Sequence, residues 1–138
     1  METVKIQDLR IGNYVNFKNR TDIDFCEVTH LGMPEYVHIL RNFKDGEHND
    51  DQPENIKDIT GIPLTEDILL RLGFEGQMFG TIKTDAYKKG IITVHLISGN
   101  TGECQIALYN KLLPIFYNYV HELQNLAYDL RQELTLNP

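Results

Sequence analysis

One cysteine and two histidines in the N-terminal half, Cys26, His30 and His38, are the residues best suited to chemistry. If residues 25–31 and 36–41 form paired strands, Cys26 and His30 share a face and His38 approaches them from the neighbouring strand. Thiolates and imidazoles bind soft metals and also form nucleophile–base pairs. However, residues four apart on a regular strand are separated by about 13 Å, too far for one zinc ion. We therefore predict no metal site and no cofactor here, only a buried thiol and two partly exposed histidines.

His95 lies in the segment TVHLIS, which is rich in β-branched residues and predicts a strand. Phosphodiesterases that use two histidines place Ser or Thr two residues after each of them, but Ile97 follows His95 and Gly32 follows His30 at that spacing. Nucleophile elbows, phosphate-binding loops, Cys-x-x-Cys pairs and His-Glu-x-x-His motifs are also absent from the sequence. We predict no catalytic residue, and a hydrolase that uses Cys26 or His95 is the weakest alternative.

A polar stripe near the C-terminus is the candidate partner-binding surface. Tyr117, His121, Gln124 and Tyr128 follow one another at spacings of four, three and four residues, which places them on one side of a helix. Tyrosine, histidine and glutamine combine apolar bodies with polar tips, a composition typical of contact surfaces. The same pattern also fits the border of a core helix whose tyrosine hydroxyls reach water.

A second candidate site is a group of cations in the N-terminal half with one tyrosine near them. Guanidinium groups bind phosphate, and an aromatic ring can stack on a base. The residues are Arg10, Tyr14, Lys18, Arg20 and Arg41. The alternative function is therefore a small-molecule binder, such as a protein that sequesters a nucleotide signal.

The composition narrows the class of protein. The 138 residues are 41% hydrophobic and 24% charged, as expected for one globular domain or two small subdomains. With 13 basic and 20 acidic residues the net charge is −7, so direct nucleic-acid binding is not expected. No apolar run approaches the ~20 residues of a membrane span, and the N-terminus does not resemble a secretory signal. Cys26 and Cys104 lie far apart, so we expect free thiols in a cytoplasmic protein that does not contact the membrane.

Short alternating segments dominate the first half. Residues 13–18, 25–31, 36–41 and 55–60 predict strands joined by short connections, which form an antiparallel sheet or a small, partly closed barrel. Residues 44–55 contain almost no apolar side chains, so they predict a surface loop.

The second half begins with strong local signals for a short helix. Thr65 is a suitable N-cap, Glu66 and Asp67 place negative charge in the first turn, Arg71 lies near the other end, and Gly73 can adopt a left-handed conformation.

Three strands and a long helix are predicted to follow. The strands cover residues 76–84, 90–98 and 103–108, with turns at 85–90 and 98–103. The helix covers residues 115–133, with Pro114 in its first turn. The predicted fold class is α+β, with an N-terminal β subdomain over residues 1–61 and a C-terminal helix–sheet–helix subdomain over 62–138 that unfold together.

Three segments resemble a group of small uncharacterised proteins from gut anaerobes and from their phages and prophages. They are IQDLRIGNYV, ITGIPLTEDILLRLGFE and YVHELQNLAYDL, and in that group similar DLRIGN, PLTE/LGF and YVH/LQNL segments recur in this order. Here Ala127 separates LQNL from Tyr128, and DLRQELTL replaces a glycine-containing tail, which predicts a longer last helical turn.

The resemblance implies a shared fold and a phage or prophage origin, but no activity, because the group has no established function. We therefore predict a non-catalytic binding protein that acts through a host or phage protein, or through self-association as a homo-oligomer.

Overall fold

The chain forms two compact units, each built on one antiparallel sheet. A computed structural model describes residues 4–18, 20–32, 35–44, 49–97 and 103–136. The units are Met1–Ile62 and Pro63–Pro138. Each contains an antiparallel sheet of five strands that is not closed on itself. The predicted α+β class is confirmed, and the N-terminal sheet is open, not a barrel.

The N-terminal sheet has the strand order β4-β3-β2-β1-β5. Its strands are β1 Tyr14–Phe17, β2 Ile23–His30, β3 Tyr36–Phe43, β4 Asn49–Asn55 and β5 Ile59–Gly61. Short 3₁₀ turns cover Ile6–Asp8 and Ile56–Asp58. The three predicted strands that match β1, β2 and β3 are confirmed, whereas the strand predicted at 55–60 begins only at Ile59.

Alternation along the N-terminal strands produces the core of this unit. Val15, Cys26, Val28, Val37 and Ile39 are all 0% exposed. They belong to one cluster of buried residues, and each alternates along its strand with side chains on the opposite face.

The prediction of a loop over residues 44–55 was wrong for its second part. Asn49–Asn55 forms β4, which pairs with β3 from Tyr36↔Asn55 to Asn42↔Asn49. An edge strand needs no apolar face of its own when its neighbour supplies the pairing, and it tolerates Pro53 because one side of its backbone is unpaired. Residues 45–48 of the predicted loop lie outside the described residues.

The C-terminal sheet has the order β10-β9-β8-β7-β6, five strands where three were predicted. The strands are β6 Glu75–Phe79, β7 Ile82–Lys89, β8 Ile92–Leu96, β9 Cys104–Leu108 and β10 Lys111–Tyr117. The predicted single strand over residues 76–84 contains a hairpin turn at Gly80, whose φ is 63°. The turn predicted over 85–90 lies mostly within β7, and the chain reverses at Gly90, whose φ is 59°. Residues 98–102 of the other predicted turn lie outside the described part of the chain.

The C-terminal helix, α2, is shorter than predicted and covers Val120–Asp129. Residues 111–117 form the edge strand β10, and Pro114 lies where its register with β9 shifts, so its missing N–H interrupts no regular ladder. The helix ends because Arg131 adopts a left-handed conformation with φ 59°. The Gln132 N–H then donates to the Ala127 carbonyl at 2.8 Å, a Schellman-type closure. The predicted longer last turn is therefore not formed.

The short helix α1, Glu66–Arg71, begins and ends as its sequence predicts. The Thr65 side chain accepts a hydrogen bond from the Ile68 N–H at 3.4 Å. At the other end Gly73 has φ +90°, and the Lys89 ammonium donates to the Leu72 carbonyl at 2.9 Å. This lysine therefore supplies a partner for a carbonyl at the C-terminal end of the helix.

Replacing Gly73 with alanine should lower the free energy of unfolding by about 1–2 kcal/mol, because an L-residue is strained in the left-handed region. The new Cβ would also lie 3.0 Å from Lys89 Nζ. Gly76→Ala is the matched control, since its Cβ would make an ordinary 3.5 Å contact with Tyr87 and its φ is not left-handed. Urea denaturation followed by circular dichroism measures both, and equal effects of the two substitutions would contradict the assignment of the strain to Gly73.

Candidate functional site

The outer face of the C-terminal sheet carries aligned polar and small side chains. Residues directly opposite each other in antiparallel strands point to the same side of a sheet. One cross-strand row through β7, β8, β9 and β10 consists of Lys88, Thr93, Ala107 and Leu112. The neighbouring row consists of Ala86, His95, Gln105 and Phe116. The other face is apolar, with Tyr87, Val94 and Ile106 at most 2% exposed.

Small side chains leave an open depression of about 380 Å³ on this outer face. Its lining consists of Gln77, Ala86, Lys88, Thr93, His95, Ala107, Asn110 and Leu112. Ala86 and Ala107 occupy adjacent rows and fill less space than their neighbours, while Ala107 and Thr93 are only 2% and 6% exposed. Ala107 and Thr93 therefore form the floor of the depression, and the longer side chains of its lining form the border.

The Thr93 hydroxyl is the polar group at this floor. Its Oγ1 atom is buried and has no hydrogen-bond partner among the described residues. A buried polar group without a partner costs about 1–3 kcal/mol relative to a satisfied one. A hydroxyl can donate one hydrogen bond and accept others, so a polar group that meets it after rotation of the Thr93 side chain would remove this cost.

One border of the depression is positioned by a tight hairpin turn. Tyr109 and Asn110 connect β9 to β10 with φ angles of 51° and 65°, the positive values of a two-residue hairpin. The turn places the Asn110 side chain where its Oδ1 atom accepts a hydrogen bond from the Lys88 ammonium at 3.4 Å. Lys88 thus stands at the depression as a positive charge on a long side chain whose present hydrogen bond is at the long limit.

Large apolar side chains lie beside the polar centre. Leu112 is 55% exposed and Phe116 is 53% exposed, and both belong to the rows that define the outer face. We call Lys88, Thr93, His95, Leu112 and Phe116 the outer-face surface. It combines a cation, an imidazole and a hydroxyl with two apolar side chains, the mixture expected where another molecule binds.

The predicted stripe does not form a continuous exposed helical surface. Tyr117 is the last residue of β10, and only His121, Gln124 and Tyr128 lie on α2. His121 is 4% exposed and its ring stacks on Tyr119, with centroids 5.8 Å apart. Tyr128 is 72% exposed and Gln124 is partly buried. Partner binding by these four residues stays a prediction.

Tyr117 nevertheless lies close to the helix that follows it. Burial raises the pKa of its hydroxyl, with smaller contributions from the negative charges of Glu122 and Asp129. The Glu122 carboxylate itself accepts hydrogen bonds from the backbone N–H groups of Asn118 and Tyr119, each at 3.0 Å. This carboxylate fixes the start of α2 immediately after β10.

Two of the predicted cations converge on one aromatic ring. The guanidinium carbons of Arg20 and Arg41 lie 5.9 and 6.0 Å from the centre of the Phe17 ring. Arg20 donates two hydrogen bonds of 2.8 Å to Asp22, and this guanidinium lowers the pKa of the Asp22 carboxyl to about 2. Arg41 lies 3.8 Å from Glu54. Both arginines therefore already face carboxylates that a phosphate would have to replace.

Tyr14, the aromatic residue of that predicted site, packs within the protein. Tyr14 is only 6% exposed and packs edge-to-face on Phe25 with ring centres 5.2 Å apart. Its faces are not open for stacking. Arg10 precedes β1 and Lys18 follows it, at opposite ends of that strand.

Neither cysteine is placed to act as a nucleophile. Cys26 is 0% exposed within the N-terminal core. Burial, together with the negative charge of Glu103, raises the pKa of the Cys104 thiol to about 12. Such a thiol stays protonated at neutral pH, and the thiolate is the reactive form.

The outer-face surface was not predicted as a site from the sequence. Thr93 and His95 are polar residues two apart in a segment with β-branched neighbours. In a strand, this spacing indicates that the two side chains lie on the same face of the sheet. Ala107 and Leu112 join them only through the pairing register of β8, β9 and β10.

In comparisons with known proteins, the chain matches no family model, no curated protein and no solved structure. In the part of the chain that the structure describes, neither helix has the length and hydropathy needed to cross a membrane.

Replacing Thr93 with valine should leave the free energy of unfolding unchanged or raise it by up to about 1 kcal/mol, because the substitution removes a buried hydroxyl without a described partner. Thr84→Val in the same sheet is the matched control. Its hydroxyl donates to the Gln77 carbonyl at 2.6 Å, so this substitution should cost about 1 kcal/mol. Chemical denaturation of both variants makes the comparison, and a loss at Thr93 as large as at Thr84 would show that the Thr93 hydroxyl is satisfied.

Proposed function

We propose that this chain is a non-catalytic binding protein that acts through a protein partner or through self-association, with the outer-face surface as its contact site. The observation that carries the proposal is the depression itself. A buried hydroxyl without a described partner lies at its floor, and exposed Leu112 and Phe116 lie beside it.

The apolar residues supply the affinity in this proposal. Fully burying a leucine or phenylalanine side chain contributes about 1.5–3 kcal/mol relative to leaving it exposed. Leu112 and Phe116 each keep more than half of their surface exposed, so a partner that covers them gains part of this contribution. Contacts of this kind dominate the energy of protein interfaces, and polar contacts around them fix orientation.

The polar residues supply the selectivity. Lys88 and Thr93 occupy directly opposite positions in β7 and β8, so one acceptor group can contact the ammonium and, after rotation of the Thr93 side chain, the hydroxyl. A side-chain carboxylate or amide from a partner is suited to this pair, because its oxygen can accept from the ammonium and from the hydroxyl. His95, one row away, offers a third polar contact.

The setting that we propose is the cytoplasm of a bacterium, with a phage or prophage as the origin of the chain. The origin is supported by the resemblance of the DLRIGN, PLTEDILLRLGF and YVHELQNL segments to proteins of that source. The cytoplasmic setting is supported by two buried cysteines, neither of which forms a disulfide.

Small-molecule binding is the second candidate function, and the size of the depression favours it. A volume of about 380 Å³ is within the range of small-molecule sites, roughly 300–1,000 Å³. The ligand would then bind at the C-terminal sheet, not at the arginines predicted from the sequence.

A photocrosslinking amino acid incorporated at position 112 should yield a covalent adduct with a partner in the native cells, because Leu112 borders the depression. The matched control is position 70, since Leu70 is a similarly exposed leucine, at 49% against 55%, on helix α1. A Lys88→Glu substitution in the same chain should reduce the adduct at 112 at least severalfold, since it repels an acceptor group.

The adducts separate the alternatives. An adduct of twice the mass of the chain identifies self-association, and a heavier or lighter one identifies another protein. Equal adducts at positions 112 and 70, or none at 112, would contradict the proposed contact site. If position 112 yields no adduct while co-purified small molecules raise the melting temperature of the wild type and not of Lys88→Glu, the second candidate function replaces the first.

A further inference from the structure

Three potential metal ligands lie together on the outer face of the N-terminal sheet. His30 is on β2, His38 is on β3 and Asp51 is on β4, so each of three adjacent strands contributes one residue. Each offers one ligand atom, and these atoms all lie within 4.8 Å of one another. The His38 Nδ1 atom and the Asp51 Oδ1 atom are 3.6 Å apart.

The pairing register explains why these side chains meet. His30 is directly opposite His38, and Asp51 is opposite Leu40, two residues along from His38. Opposite and diagonal residues on one face of antiparallel strands are within reach of each other. The two imidazole rings accordingly lie edge-to-face with centroids 5.2 Å apart.

A β-bulge turns His30 away from the core. The register of β2 with β3 shifts between Val28 and His30. Val28 pairs with Ile39 and His30 pairs with His38, so β2 has one more residue than β3 between these two pairs. Without this extra residue, His30 would share the buried face of Cys26 and Val28. Cys26 is 0% exposed and His30 is exposed, so the predicted shared face of Cys26 and His30 is not formed. The regular-strand spacing that argued against a metal therefore does not apply.

The same bulge brings the Thr29 hydroxyl among the ligands. Its Oγ1 atom lies 3.0 and 3.2 Å from the two carboxylate oxygens of Asp51 and 3.1 Å from the His30 Nδ1 atom. A hydroxyl has one proton. When Thr29 donates that proton to Asp51, its oxygen can accept from a protonated Nδ1 of His30, which leaves the lone pair of His30 on Nε2. Such outer contacts orient metal ligands and select their tautomer.

We propose that His30, His38 and Asp51 bind one divalent first-row transition-metal ion, with Thr29 as a positioning residue. Two imidazoles and one carboxylate form a ligand set that suits zinc, nickel, copper or ferrous iron better than magnesium or calcium. With metal–ligand bonds of about 2.0–2.2 Å, neighbouring ligands around a tetrahedral ion are roughly 3.4 Å apart, close to the observed separation of His38 and Asp51. Both of these side chains are 41% exposed, so water can complete the coordination.

Zinc titration of the full chain after chelator treatment tests the site by isothermal calorimetry. We expect one zinc ion per chain, and at least tenfold weaker binding in His38→Ala and in Asp51→Asn. Asp58→Asn is the matched control, because it removes one exposed carboxylate from the same unit but from outside the cluster. Its zinc affinity should stay within about twofold of wild type.

The positioning role of Thr29 has its own measurement. Thr29→Val keeps the branched shape and removes the hydroxyl, and loss of such an outer contact weakens metal binding by about 10–100-fold. Thr29→Ser restores a hydroxyl and should recover most of the affinity. Equal zinc affinity in Thr29→Val and wild type would overturn the role of the hydroxyl.

A measurement on the unmodified chain keeps the test independent of whether variants fold. Substoichiometric Cu²⁺ should broaden the NMR signals of residues around His30, His38 and Asp51 before any others. Broadening that starts elsewhere, or zinc binding that is unchanged in His38→Ala and Asp51→Asn, would overturn the metal site. Neither result depends on the contact site proposed on the C-terminal sheet.

Discussion

Alternation of side chains along paired antiparallel strands determines what each sheet presents to solvent. Val94 is completely buried, whereas the neighbouring His95 is partly exposed on the opposite face. Because cross-strand partners share a face, the position of each outward side chain depends on several strands at once. The row Lys88, Thr93, Ala107 and Leu112 exists only while four strands keep their register. A shift of one residue in β8 would place Val94 at the floor of the depression and the Thr93 hydroxyl in the core.

Local signals in the sequence were sufficient for part of the fold. Helix α1 follows from Thr65, Arg71 and Gly73, whose effects act within one or two turns of the chain. The alternation in β1 and β2 also needs no partner to be recognised. Two edge strands were missed for opposite reasons. β4 is polar and is held by pairing with β3, whereas β10 is apolar enough to fit a helical pattern, and in both cases the deciding contact is distant in sequence.

The sites were less predictable than the fold because they depend on exceptions to regular geometry. One extra residue in β2 moves His30 from the buried face to the exposed face, and no residue type in that segment reveals the bulge. The left-handed conformation of Arg131 ends α2 without a glycine, and the strand at Pro114 moves Tyr117 off the helix. The predicted stripe of four residues assumed one uninterrupted helix. Because Tyr117 belongs to β10 and α2 begins only at Val120, the four residues do not lie on one helix.

Two threonine hydroxyls show how the two proposed sites differ in the free protein. Thr29 already lies within hydrogen-bond distance of Asp51 and of His30, so the ligands of the N-terminal cluster are held near their binding positions before an ion arrives. The Thr93 hydroxyl has no partner among the described residues, so its desolvation cost of about 1–3 kcal/mol remains in the free state. A molecule that binds Thr93 would remove this cost, and its binding would therefore be coupled directly to the stability of the C-terminal sheet. At the first site Thr29 instead acts indirectly, by orienting the side chains that would bind the ion.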